Sequence, residues 1–246
     1  MNIIDNLRKA FIPRPCVICD EIVGYDLKVA LCDDCVVEWD KQVNMTCNRC
    51  GNKKDDCKCI SPLVKKAFPF ICWSVFYTGS DQIFSPDVIV FNLNHTNSYA
   101  VFEFCAEMMK RTIISRCKAH NVDYREYAVT FTPRSKHNIL KYGFDQSKEV
   151  AKLLAKKLGV PFVETLRNTG KKEQKKLNKI ERDENARNSY ELIKNFENKH
   201  KKYFLIDDVL TSGATMFHCA RILFDAGAET IIPVAYCKDN IKKGDK

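Results

Sequence analysis

No stretch of this 246-residue chain is apolar for long enough to cross a bilayer. The longest, residues 67–77, is interrupted by Pro69. The basic-then-apolar order of a signal peptide is missing too, because Asp5, Arg8 and Lys9 break the opening residues. Both absences predict a cytoplasmic protein with no membrane insertion. The five histidines fall at no ligand spacing and receive no predicted role. No G-x-x-x-x-G-K-[ST] occurs, which excludes a Walker-type nucleotide loop. Nor is there an internal repeat of fold-defining length.

Cysteine, by contrast, is plentiful. A reducing compartment leaves thirteen cysteines in need of a role other than disulfides. Cys72, Cys105, Cys117, Cys219 and Cys237 stand singly among apolar neighbours, where free cysteine acts as a small core residue. The other eight precede Ile60. Cys16-x-x-Cys19 is followed twelve residues later by Cys32-x-x-Cys35, and Cys47-x-x-Cys50 six later by Cys57-x-Cys59. A C-x-x-C turn aims two thiolates at one point about 2.3 Å from a tetrahedral zinc, and two such turns close the shell. A closed shell is structural rather than catalytic. It also orders a segment with little periodic apolar pattern, since structural zinc contributes on the order of 10–16 kcal/mol in small fingers. The spacing predicts one or two zinc ions. A redox pair, an iron–sulfur cluster and a cross-braced pairing remain open alternatives.

The net charge is +9, yet residues 1–66 hold eleven basic and ten acidic residues, so the excess lies beyond them. It is densest over residues 167–187 and 199–202. Such a surface suits phosphates, of a small ligand or of a nucleic acid, and is equally the look of a solvated loop.

The apolar patterning predicts a helix over residues 2–11, a strand over 70–77 and a helix over 99–115. From residue 127 strands and helices alternate. Strands are expected at 128–132, 160–165, 203–208 and 230–237, with helices at 147–158 and 215–225. Buried apolar strands separated by helices argue for an α/β fold, a parallel sheet with helices on both faces. A small zinc-ribbon-like module precedes it. The division expected is residues 1–66 and 67–246.

Tyr203-Phe-Leu-Ile-Asp-Asp208 delivers Asp207 and Asp208 to the carboxyl edge of that sheet, where α/β folds bind ligands. Thr211-Ser-Gly-Ala-Thr215 then opens a helix, and its N–H groups and hydroxyls suit a phosphate. Gly213 permits close backbone approach, and the two acids suit the vicinal hydroxyls of a ribose. A strand ending in capping residues before a helix would look similar.

The stretch resembles the phosphoribosyl-pyrophosphate signature of class I phosphoribosyltransferases: an apolar strand, two acids, then T-[ST]-G-x-T. The cysteine pairs, Tyr142-Gly-Phe-Asp-Gln146, Gln174-Lys-Lys-Leu177 with Arg182, and the signature resemble, in that order, the ComF family. That family's R-G-F-N-Q is Tyr142-Gly-Phe-Asp-Gln146 here, and Asn94 stands nearest to a lysine common in its linker helix. The resemblance implies a class I phosphoribosyltransferase-like sheet that takes phosphoribosyl pyrophosphate with Mg²⁺. It also implies a role in natural transformation, with single-stranded DNA and competence proteins as partners. Asp207, Asp208, Gln174 and Arg182 become the candidate catalytic residues. Thr211, Ser212, Gly213, Ala214, Thr215, Arg134, Ser135 and Lys136 become the substrate contacts, the last three in a pyrophosphate loop. An alternative with the same fold is a non-catalytic sensor or adaptor bridging DNA and competence proteins.

Overall fold

The computed structural model describes residues 14–23, 30–80, 85–170 and 189–241. The helix expected at 2–11, and with it Gln174 and Arg182, lies outside the described residues.

The short strands β1 (Arg14–Pro15) and β2 (Ile22–Val23) pair antiparallel around the first cysteine turn. Helix α1 (Asp33–Val43) opens at the second pair, and α2 (Pro62–Ala67) follows the fourth. The chain then runs through β3 (Cys72–Tyr77), α3 (Asp87–His95), α4 (Tyr99–Ala119) and β4 (Ala128–Phe131). Next come α5 (Lys136–Tyr142), α6 (Gln146–Leu158), β5 (Leu166–Asn168) and β6 (Tyr190–Leu192). It finishes with β7 (Lys202–Leu210), α7 (Ala214–Asp225) and β8 (Thr230–Asp239).

Four strands form the expected parallel sheet, in the order β3-β8-β7-β4. Alternation along β7 sends Phe204 and Ile206 into one core and Tyr203 and Leu205 into the other. The first core is closed by α4 and α6. Along α4 the buried Val101, Phe102, Cys105, Met108 and Met109 recur at helical spacing. The second core is closed by α7 through Met216, Cys219, Ala220 and Leu223. Each face is dry.

The strand expected at 160–165 is reduced to one bridge, Val129 to Phe162. Val129 N donates to Pro161 O at 2.8 Å and Val163 N to Val129 O at 2.9 Å. Pro161 has no N–H to extend the ladder. That limits the ladder on the side toward Tyr127; past Val163 the chain leaves the sheet and runs into the β5–β6 hairpin.

Helix α1 was not expected from the sequence. Its buried stripe is Cys35, Trp39 and Gln42, an i, i+4, i+7 face of which only one member is an ordinary apolar residue. Trp39 meets Phe104 of α4 edge-on at 5.0 Å. Gln42 Nε2 donates to Phe76 O at 2.6 Å and to Asp87 Oδ1 at 2.8 Å. Asp87 also accepts from the backbone N–H groups of Thr78 and Ser80, so one buried carboxylate gathers α1, the end of β3 and the start of α3.

The cysteine segment is thus built into the sheet. Cys16, Cys32 and Cys35 belong to the first core, whereas Cys47 and Cys57 belong to the second. The turn between Cys47 and Cys50 is fastened to the end of β8. Asn48 N donates to Asn240 Oδ1 at 2.8 Å, and Arg49 Nη2 to Asp239 Oδ2 at 3.3 Å.

Gln42→Leu removes one donor from Phe76 O and one from Asp87 in a buried setting. It should cost about 2–3 kcal/mol. Urea unfolding would check this, and a loss below about 0.5 kcal/mol would show that α1 is held by apolar packing alone.

Candidate functional site

The four Sγ atoms of Cys16, Cys19, Cys32 and Cys35 lie within 4.8 Å of one another, as do those of Cys47, Cys50, Cys57 and Cys59. Cys19 and Cys32 are 3.5 Å apart and Cys50 and Cys57 3.9 Å. A tetrahedron with metal–sulfur bonds of about 2.3 Å has edges near 3.8 Å, so both quartets fit such an ion. A disulfide needs about 2.05 Å. The pairing is sequential, first pair with second and third with fourth, rather than cross-braced.

The surroundings of the thiols differ from one to the next. The N–H groups of Asn52 and then Lys58 lower the Cys50 thiol to about 6. Burial pushes Cys16 up, but the N–H groups of Cys19, Cys32 and Ile18 outweigh it and the net shift is downward. Burial raises Cys32 to about 11 and Cys57 to about 12, and it raises Cys35 and Cys59 as well. Cys32 caps α1 and Cys35 sits in its first turn, a placement that a redox pair also uses. Here four thiols converge instead of two.

The second feature is a cleft of about 600 Å³ at the carboxyl end of the sheet. Asp207, Asp208, Thr215, Arg134 and Ser135 line it, so one site draws on the acids, the loop and the predicted pyrophosphate segment. Thr211, Ser212, Gly213, Ala214 and Lys136 are not part of that lining. Lys136 is the first residue of α5, whose N-cap Ser135 accepts from Asn138 N at 3.3 Å. Thr211 and Ser212 are exposed in the turn before α7.

Gly213 caps α7 at φ +83°, which favours glycine. A Cβ there would stand 3.0 Å and 3.1 Å from the two methyls of Val64 on α2. The loop is therefore pressed from behind by the segment that leaves the second quartet.

The cleft floor is electrostatically tense. Asp208 N donates to Asp207 Oδ1 at 3.0 Å, and Val209 N to Asp208 Oδ1 at 2.8 Å. Part of Asp207 opens onto the cleft, yet burial, followed by the Asp208 charge, pushes its carboxyl well above the usual range. Gln146 Nε2 donates to Asp208 Oδ2 at 3.3 Å and to Asn94 Oδ1 at 3.0 Å. Arg134 Nη2 donates to Asn94 O at 3.0 Å. Gln146 Oε1 and Arg134 Nη1 are buried with no partner. Both residues line the cleft, but these two atoms are closed to solvent and point away from it.

Several lining residues were missed or seen only through resemblance. Asn168 and Tyr190 come from the β5–β6 hairpin, whose strands are too short to leave a pattern. Two histidines without a predicted role, His95 and His137, reach the lining as well.

No protein-family model matches the chain, and no curated protein does. Among solved structures the chain is similar to phosphoribosyltransferases. Adenine phosphoribosyltransferase from Saccharomyces cerevisiae shares 17% identity over 58% of this chain and 70% of that one, with a TM-score of 0.35. The Trypanosoma brucei adenine enzyme, in complex with AMP, pyrophosphate and ribose-5-phosphate, shares 16% over 77% and 86%, with a TM-score of 0.36. Hypoxanthine phosphoribosyltransferase from Trypanosoma cruzi shares 9% over 56% and 65%, with a TM-score of 0.32. Likeness at this level transfers no residue role. The parallel α/β sheet, its helices on both faces and the cysteine module before it stand on this chain's own strand order and contacts.

Two predictions follow from the charges and the thiols. Protein purified without added zinc should carry close to two equivalents, falling to one in Cys57→Ser; a single equivalent in the parent would remove the second centre. For Asp207, the folded carboxyl holds its proton above the ordinary value near ~3.9, so folding loses stability as pH rises from there through the folded value. Asp207→Asn is exempt. It should melt higher than the parent at neutral pH, with the gain fading toward pH 4, and a gain independent of pH would contradict the assignment.

Proposed function

We propose that the cleft binds a 5-phosphoribosyl ligand and that the protein is a phosphoribosyltransferase-type member of the ComF family acting in natural transformation. One observation carries the first half. Asp207 and Asp208 stand side by side at the cleft floor, and the chain turns directly from them into the N-terminus of α7, with Thr215 in the same lining. Carboxylates for the ribose hydroxyls and a helix start for the 5-phosphate are thereby one short segment apart.

In this reading Asp207 and Asp208 accept from the ribose hydroxyls, while the N–H groups and hydroxyls of Thr211 to Thr215 hold the phosphate. Gln146 fixes Asp208 from the side. Arg134, backed by Ser135, faces the pyrophosphate; burial lowers its guanidinium below the usual value, a cost that a bound anion would offset. The chemistry that Mg²⁺ supplies when bound is neutralisation of the pyrophosphate oxygens. Gln174 and Arg182, outside the described residues, are the proposed contacts of a covering tract that excludes water from an oxocarbenium-like transition state. Zinc in the quartets is structural, and residues 1–66 and 67–246 are the proposed units.

The transformation half rests on the order of the motifs and on the basic excess beyond residue 66, which suits contact with single-stranded DNA. The adaptor alternative, binding without turnover, separates from the enzyme through exchange of labelled pyrophosphate into phosphoribosyl pyrophosphate. Exchange supports transfer; binding without exchange supports the adaptor.

Asp208→Asn should weaken ribose 5-phosphate by about 1.5–3 kcal/mol, the range for hydrogen bonds to charged groups. Gly213→Val should abolish binding by displacing the loop from Val64. Calorimetry that finds parental affinity in both variants would sink the phosphoribosyl assignment.

A further inference from the structure

Lys238 lies in β8 with 0% of its surface exposed, and it is the only buried lysine or arginine among the described residues. An isolated ammonium at that depth is costly, so a buried lysine ordinarily meets a carboxylate. This one does not. Its Nζ donates to the backbone oxygen of Asp239 at 3.3 Å. The Asp239 carboxylate is engaged elsewhere: Oδ1 accepts from Ile241 N at 3.1 Å and Oδ2 from Arg49 Nη2 at 3.3 Å. Among the described residues Lys238 forms no ion pair.

Sheet register places the side chain. Lys238 stands opposite Leu210 of β7 and Phe76 of β3, and strand residues in register project from the same face. Leu210 and Phe76 belong to the second core, which also holds Cys47 and Cys57. The ammonium therefore enters the layer of the second quartet. Just past it, Asn240 ties the strand to the turn of that quartet, accepting from Asn48 N at 2.8 Å and donating to Thr46 O at 3.4 Å. Burial raises the Cys57 thiol, and the Lys238 charge acts against that rise. The first quartet, whose Cys16, Cys32 and Cys35 sit in the other core, has no buried cation beside it among the described residues. Packing of the lysine stem would account for its length but not for its charge, since methionine fills a similar space.

We propose that Lys238 is the counter-charge of the second metal centre, its ammonium offsetting the net negative charge of four thiolates around a divalent cation and thereby raising that quartet's affinity for the ion. The proposal rests on reading Cys47, Cys50, Cys57 and Cys59 as a zinc site. In a dry core the attraction is weakly screened. Its sign depends on the metal. With zinc in place the ammonium faces an anion and stabilises the fold; with the metal gone and the thiols neutral it faces none and destabilises it.

Zinc itself is the probe, withdrawn from the loaded protein by increasing amounts of a chromophoric chelator. Lys238→Met and Lys238→Gln should each weaken one of the two equivalents by about ten- to a hundredfold, the range for outer partners of metal ligands, and leave the other unchanged. Lys238→Arg, which keeps the charge, should retain the tighter binding. In Cys57→Ser, which keeps the first quartet alone, adding Lys238→Met should not alter zinc affinity. Urea midpoints should cross: Lys238→Met above the parent without metal and below it with zinc. Two equivalents of parental affinity in both neutral variants, equal weakening of both equivalents, or a midpoint lowered alike in both metal states overturns the proposal and leaves the second zinc site standing. A parent that holds a single equivalent overturns the site and the proposal together.

Discussion

A parallel sheet has two apolar faces, and neither can be left to water. That constraint organises this protein. Four strands are covered on one side by α4 and α6 and on the other by α7, and each core takes further apolar partners from outside those helices. The cysteine segment supplies them. Its first quartet joins the α4 core together with Trp39, and its second joins the α7 core together with Val64. Quartets closed on an ion would stiffen this segment without a large core of its own, while α1 brings Trp39 and Gln42 to the sheet. The module is better described as the closing piece of two cores than as an appendage to one.

This arrangement ties the second quartet to the phosphate loop. Cys59 is followed almost at once by α2, and Val64 of that helix presses on Gly213. On the other side Lys238 of β8, fully buried, stands in register with Leu210 of β7 and Phe76 of β3. Its charge opposes the effect of burial on the Cys57 thiol. A buried ammonium is costly without a compensating anion, and four thiolates around a divalent cation carry net negative charge. Helix α2 and strand β8 thus neighbour both the loop and the second quartet.

How much of this was legible depended on how strongly one residue type marks one job. Cysteine spacing named both quartets, because few other uses place eight cysteines in pairs. The run from Tyr203 to Thr215 named the cleft floor, because an apolar strand ending in two acids and a glycine-bearing turn has few alternative readings. Helix α1 was hidden because its buried face is a cysteine, a tryptophan and a glutamine. The strand at 160–165 was overread because apolar content says nothing of the N–H that Pro161 lacks. Gln146 entered the sequence reading only as the end of Tyr142-Gly-Phe-Asp-Gln146, and Asn94 only as the residue nearest to a linker-helix lysine. Their importance comes from meeting one another and Asp208 across 62 and 52 residues of sequence, which only the fold can show.

The two departures from the R-G-F-N-Q pattern find physical reasons of different kinds. Asp145 is the N-cap of α6, its carboxylate accepting from Lys148 N at 3.2 Å and from Arg134 N at 2.8 Å. Asparagine could keep the cap through its one amide oxygen, but its NH₂ could not accept the second bond, so the aspartate is what ties Arg134 N to the start of α6. Tyr142 is different. Where the pattern has a cation, this chain has a ring that bears one, since Arg134 lies on its face. A guanidinium so placed keeps its charge but gives up reach. It is held flat, bonded to Asn94 through one nitrogen and left unpaired at the other. Buried donors without partners destabilise a free protein, as do two carboxylates crowded at one strand end. Both features persist at the same cleft. Asp207, Asp208, Arg134 and Gln146 all line it, so the least relaxed polar groups of the sheet end meet at one place.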